Sequence, residues 1–124
     1  MIRSPRALPD GPVHFVGVCG AGQSALAWLL ASTGRTVTGT DRACLAAVRT
    51  RLGRLGVEVL DRHGAEQIGD AACVVATDAV DERHPEIEEA RRKGIPVMRR
   101  PEALASLCAG RRLVAVAGTH GKTT

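Results

Sequence analysis

Between Val13 and Ala31 the chain reads VHFVGVCGAGQSALAWLLA, and this stretch constrains the fold more than any other. It opens as a short apolar run, Val13 to Val18, with the length and composition of a buried parallel strand. A glycine cluster follows, Gly17, Gly20 and Gly22, with Cys19 and Ala21 between them. The chain then turns helical from Gln23 to Ser32, with Leu26, Leu29 and Leu30 on one face and Gly34 as a stop. Strand, glycine turn and helix form the phosphate-binding unit of doubly wound α/β domains. Glycines let the backbone approach an anion, and the helix start offers unpaired N–H groups. The usual fingerprint is G-x-G-x-x-G, but here Cys19 holds the middle position and Gly20 comes one place later. A side chain at Cys19 would crowd a pyrophosphate laid down as in the standard NAD site. The alternative is a tight βα turn with no ligand.

A length of 124 residues suits one domain with a real core, and 44% hydrophobic with 24% charged residues is ordinary globular composition. The net charge of +4 favours an anionic ligand only weakly. Phe15 and Trp28 are the sole aromatics, which disfavours nucleic-acid binding by base stacking. Cys19, Cys44, Cys73 and Cys108 are spaced 25, 29 and 35 residues apart, so no C-x-x-C zinc or redox motif exists. The N-terminus, MIRSPRALPDGP, has three prolines and no apolar signal core. No segment approaches transmembrane length. These features predict a cytoplasmic domain with free thiols, no membrane partner, and a flexible leader over 1–12.

Further along, Thr36 to Thr40 reads as a second strand ending in Asp41. An acid there either holds a ribose hydroxyl, as in dinucleotide folds, or caps the helix predicted over Arg42 to Leu55. Val57 to Leu60 is a third strand, and a loop over Asp61 to Asp70 carries one helical turn near Ala65. His63 in that loop reads, from the residues alone, as an exposed bystander. Ala72 to Ala76 is a fourth strand, ending at Thr77 and Asp78. Pro85 opens a helix with Glu86, Glu88 and Glu89 early and Arg91, Arg92 and Lys93 late, charges that suit the helix dipole. Ile95 to Met98 is a fifth strand, placed near an edge by Pro96. A helix over Glu102 to Ala109 and a sixth strand, Leu113 to Ala117, complete the pattern. Alternating strands and helices give a Rossmann-like, doubly wound parallel sheet of five to six strands with helices on both faces.

The last seven residues, Gly118-Thr119-His120-Gly121-Lys122-Thr123-Thr124, follow a strand and end as a P-loop variant. Backbone N–H groups of such a loop cradle the phosphates of ATP. Lys122 would reach the β- and γ-phosphates as the catalytic cation, and the Thr123 hydroxyl would hold Mg²⁺.

With both loops in view, HFVGVCGAGQSALA, the GTD at Asp41, HPEIEEARRKGIPVMRR and RRLVAVAGTHGKTT resemble the N-terminal part of the Mur ligases, ATP-dependent peptidoglycan-precursor ligases. The resemblance spans about residues 12 to 124 and leans toward the alanine-adding branch and its recycling relative, the murein peptide ligases. It implies that residues 13–112 form a domain binding a UDP-N-acetylmuramate-type nucleotide sugar, and that 113–124 begin an ATP- and Mg²⁺-binding domain. Gly20, Ala21 and Gly22 match positions at the diphosphate, Asp41 and His63 positions near the uridine. Thr77 and Asp78 stand where the family often has a serine pair. In the family a carboxylate is phosphorylated and an amine then displaces phosphate. The expectation for this chain alone is substrate binding without turnover or firm ATP binding, its remaining ligase domains being supplied in cis or in trans. The competing expectation is a nicotinamide-dinucleotide module.

Overall fold

The computed structural model describes residues 8–109. Its core is a five-stranded, all-parallel sheet in the order β3-β2-β1-β4-β5. In sequence, β1 is Val13–Val16, β2 Val37–Thr40, β3 Glu58–Leu60, β4 Cys73–Ala76 and β5 Val97–Arg99. The helices are α1 (Ala21–Ser32), α2 (Ala46–Gly53), α3 (Pro85–Lys93) and α4 (Arg100–Ala109), with a 3₁₀ turn over Ala65–Ile68. The predicted sixth strand, Leu113 to Ala117, and the P-loop residues Gly118 to Thr124 lie outside the described residues.

Every residue of β1 and β4 is buried, as central parallel strands covered on both faces must be. Alternation divides their side chains between two cores. Val13, Phe15, Cys73 and Val75 join Leu26, Leu30, Leu52 and Leu107 under α1, α2 and α4. Val16, Val74 and Ala76 meet Ile87, Ala90 and Ile68 under α3 and the 3₁₀ turn. His14, on that second face, is fully buried among them. Leu52 is the one fully buried side chain of α2. Burying a leucine contributes roughly 1.5–3 kcal/mol, so this residue anchors an otherwise polar helix.

The elements match expectation apart from their ends. β1 stops at Val16, not Val18, because Gly17 takes φ +78° and turns the chain. α1 starts two residues earlier than predicted, at Ala21. α2 runs only from Ala46 to Gly53, because residues 42–45 are drawn into a connection tied to the glycine loop. β5 lies at an edge of the described sheet, as Pro96 suggests.

The free-thiol expectation is overturned for two cysteines. Cys19 and Cys44 form a disulfide with a Cα–Cα distance of 5.3 Å. Spacing hid the pair, since 25 residues separate the partners and only the β1–β2 pairing brings them together.

Candidate functional site

In a doubly wound sheet, ligands bind beyond the carboxyl ends of the strands where the winding reverses. Here that point lies between β1 and β4. The loops leaving these strands open a crevice of about 200 Å³ lined by Gly20, Ala21, Gly22, Gln23, Thr77, Asp78 and Arg100. A larger hollow of about 450 Å³ between α1 and α4 is almost wholly apolar and offers an anion little beyond Arg100.

Three features of the small crevice bear on whether it could take an anion. First, α1 begins at its edge with Gly20 as N-cap, no side-chain cap and no acidic residue in the first turn. Its leading N–H groups therefore lack intrahelical partners and form the positive end of the dipole. Second, Gly22 has no Cβ, and the Arg100 guanidinium lies across the space a Cβ would fill. Third, no carboxylate among the described residues pairs with Arg100. A cation at the positive end of a helix is unfavourable until an anion joins it. Gln23 is buried against the floor, where its side-chain amide donates to the Val16 and Val75 carbonyls at 3.1 and 3.3 Å. Its own carbonyl oxygen has no hydrogen-bond partner.

The opposite lip is held by Arg99, whose Nη1 donates to the carbonyls of Thr77 and Val80, each at 2.7 Å. Thr77 N–H bonds the Val16 carbonyl at 3.1 Å, and the Thr77 methyl closes over Gly17. Asp78 is exposed at this lip.

Asp41 sits on the β2 side of the glycine loop. Its Oδ2 accepts from Cys19 N–H at 2.9 Å and its Oδ1 from Ala43 N–H at 3.0 Å. The helix-cap reading fails, because α2 starts five residues later with Leu45 as its N-cap. Asp41 instead fastens two loops together.

His63 is no bystander. Its Nδ1 lies 2.8 Å from Thr40 Oγ1 and 3.1 Å from Glu86 Oε2. Glu86, completely buried at the start of α3, is the centre of this network. His14 Nε2 lies 2.7 Å from its Oε1, Thr40 donates to Oε1 at 2.8 Å, and Gly64 N–H to Oε2 at 3.0 Å. An ionised carboxylate only accepts, so both imidazoles direct an N–H at it. Burial is the largest single influence on Glu86 and pushes its pKa up. Hydrogen bonds from His14, Thr40 and Gly64, with the charge of His14, outweigh it and leave the group below the ordinary carboxylate range. His84 caps α3, its Nδ1 accepting from Glu86 N–H at 3.1 Å, and its ring meets His63 edge-on. Burial depresses the His84 pKa, against a smaller upward pull from Glu86. Ligand atoms of His63, His84 and Glu86 fall within 4.8 Å of one another. Four donors already engage the Glu86 oxygens, so the trio reads as a closed hydrogen-bond network rather than a metal centre.

The structure thus gathers Gly20, Ala21, Gly22 and Thr77 at one crevice, with Asp41 and His63 on its β2–β3 side. Arg100, Gln23, His14 and Glu86 were missed as functional candidates. Glu86 resembled an ordinary helix-dipole charge, and Arg100 one arginine among many. Lys122 and the other P-loop residues lie outside the described residues.

Residues 12–112 match the family described as "Mur ligase family, catalytic domain". This chain belongs to the Mur ligase family. It is 51% identical over 112 residues to a UDP-N-acetylmuramate–L-alanine ligase of Rubrobacter xylanophilus, covering 90% of this chain and 25% of that protein. The corresponding enzyme of Paracoccus denitrificans is 47% identical over 114 residues, covering 92% of this chain and 24% of the relative. The crystal structure of the Thermotoga maritima UDP-N-acetylmuramate–alanine ligase superposes with a TM-score of 0.70 at 32% identity, over 75% of this chain and 21% of that one. A murein peptide ligase from Psychrobacter arcticus gives a TM-score of 0.72 at 26% identity, over 77% and 20%. This Mur ligase chain spans about a quarter of the length of the curated relatives it matches.

Proposed function

We propose that this Mur ligase chain binds the UDP portion of a UDP-N-acetylmuramate-type nucleotide sugar, as the substrate-holding part of an ATP-dependent peptidoglycan-precursor ligase. The observation that carries the reading is Arg100 lying over Gly22, with no carboxylate partner among the described residues, at the start of α1, which has no side-chain cap. Two positive partners on one crevice suit a diphosphate. The nucleoside then extends along the β2–β3 side toward Asp41 and His63, and the sugar toward Thr77 and Asp78.

In the full ligase, ATP with Mg²⁺ would supply the phosphoryl group that activates the sugar's carboxylate for attack by an amine. Lys122 and Thr123, with Gly118 to Gly121 and Thr124, are assigned by motif to those phosphates and that metal. The residues described here do other work: they anchor the nucleotide, so that binding energy remote from the reacting carboxylate holds it in place.

Isothermal titration of the chain with UDP-N-acetylmuramate, UDP and NAD tests this. Binding of both uridine ligands, weakened about tenfold or more in Arg100→Ala, is the expected result. NAD binding with no response to either uridine compound would overturn it in favour of a nicotinamide module.

A further inference from the structure

We infer that Cys19 and Cys44 form a reversible thiol–disulfide couple that sets the affinity of the nucleotide crevice. The affinity half of this rests on the function proposed above; the couple itself does not.

The two sulfurs belong to neighbouring loops. Cys19 lies in the glycine turn between Gly17 and the α1 N-cap Gly20, and Cys44 in the connection just before α2. What holds them together is not the S–S bond alone. β1 and β2 are paired in register up to Val16 and Thr40. Beyond them, Gly17 and Val18 N–H both bond the Thr40 carbonyl, at 2.8 and 3.1 Å. Asp41 then bonds Cys19 N–H on one side and Ala43 N–H on the other. This frame needs no sulfur, so on reduction the thiols stay within reach and can re-form the bond without refolding. Both residues are only partly buried, so a small reagent can reach them. Cys73, by contrast, is buried in β4.

The chemistry balances with a low-molecular-weight disulfide as oxidant. The Cys19 thiolate, beside the positive end of α1, attacks one sulfur of R–S–S–R and releases RS⁻. The Cys44 thiolate then attacks the Cys19 sulfur and expels the second RS⁻. Two protein thiols lose two electrons and two protons, and R–S–S–R becomes two RSH; a dithiol runs the exchange backward.

The consequence lies in where the Cys19 side chain goes. Tied to Cys44, it is directed at the β2–α2 connection and does not line the crevice. This relieves the crowding that a side chain in a phosphate loop would impose. Reduction frees the side chain to turn back over Gly20. The oxidised form is therefore the better binder.

The chain is prepared oxidised with diamide and reduced with dithiothreitol, then alkylated under native conditions and peptide-mapped. UDP-N-acetylmuramate is titrated against both forms and against Cys44→Ser. Expected are labelling of Cys19 and Cys44 only after reduction, its reversal by diamide, and affinity about fivefold or more weaker when reduced. Cys44→Ser should match the reduced chain and ignore dithiothreitol. Native labelling that is the same before and after reduction, or not reversed by diamide, overturns the couple. Affinities equal in the two wild-type forms overturn the control of binding. Binding by neither form removes that control together with the nucleotide reading, while the mapping alone still decides the couple.

Discussion

His14 on β1 and Glu86 on α3, both fully buried, meet at 2.7 Å through Nε2 and Oε1, 72 residues apart in sequence. The contact places a charge inside the second core, against the side of the sheet that α3 covers. Its stability depends on the carboxylate keeping all its donors. Glu86→Ala strands His14, His63 and the Gly64 N–H together, and breaking such a buried set costs about 3–5 kcal/mol. Glu86→Gln keeps one oxygen but turns an NH₂ toward donors, costing about 1–3 kcal/mol. Urea unfolding followed by circular dichroism should rank wild type above Gln above Ala. A Gln variant as stable as wild type would show that the charge is dispensable.

Acid should weaken this domain in two steps, the first set by burial of His84 and the second by the hydrogen bonds to Glu86. His84 has a folded pKa below the ordinary 6.5, chiefly because burial disfavours its cation. The unfolded chain therefore takes up that proton first, and stability is present above pH 6.5 and falls as pH drops through the ordinary histidine range toward the lowered value. Glu86 is held below its ordinary value by the donors that outweigh its burial, so its contribution is lost at lower pH, as it protonates. His84→Asn keeps a good helix cap and removes the titrating ring. Urea midpoints at pH 8, 7, 6 and 5 should fall less steeply in the variant. Parallel curves would contradict the assignment to His84.

At the crevice, affinity and stability should separate. Arg100 is exposed and has no carboxylate partner among the described residues, so Arg100→Ala should change stability by less than about 0.5 kcal/mol. It should weaken UDP binding about tenfold or more, because charge-assisted bonds to an anion are the strong ones. Gly22→Ala places a methyl where the guanidinium lies, and the mobile end of Arg100 can move aside. Fold stability should stay within about 1 kcal/mol while affinity falls. Calorimetry and thermal melts on the same samples check both. A melt that drops with the affinity would mark these residues as structural.

The sheet was legible because its signal is local. Apolar runs such as Val13 to Val16 and Cys73 to Ala76, separated by helices with glycine stops, leave few topologies open. The glycine turn was legible as a loop leaving β1, and Gly20, Ala21, Gly22 and Thr77 line one crevice beside it. What escaped was whatever depends on tertiary neighbours. Glu86 sits one residue after Pro85, where helix-dipole logic explains an acid fully, and only the fold shows it enclosed by His14 and Thr40. Asp41 does not cap α2, and what local sequence could not show is that it ties the β1 and β2 loops together, because those loops lie side by side. Arg100 gains its meaning solely from lying over a glycine 78 positions earlier.

The turn that aims the glycine loop should be the most brittle part of the site. Gly17 combines φ +78° with the Thr77 methyl 2.7 Å from where a Cβ would stand. An L side chain there pays for the left-handed backbone, about 1–2 kcal/mol, and for the clash as well. Gly17→Ala should therefore destabilise by more than the backbone cost alone. Thr77→Ser removes the methyl and keeps the hydroxyl. Combined with Gly17→Ala, it should recover the steric part and leave the backbone part. A double-mutant cycle from urea unfolding reads this as a coupling between the two sites. Strict additivity would mean that the Thr77 methyl moves aside freely, and that φ alone makes residue 17 a glycine.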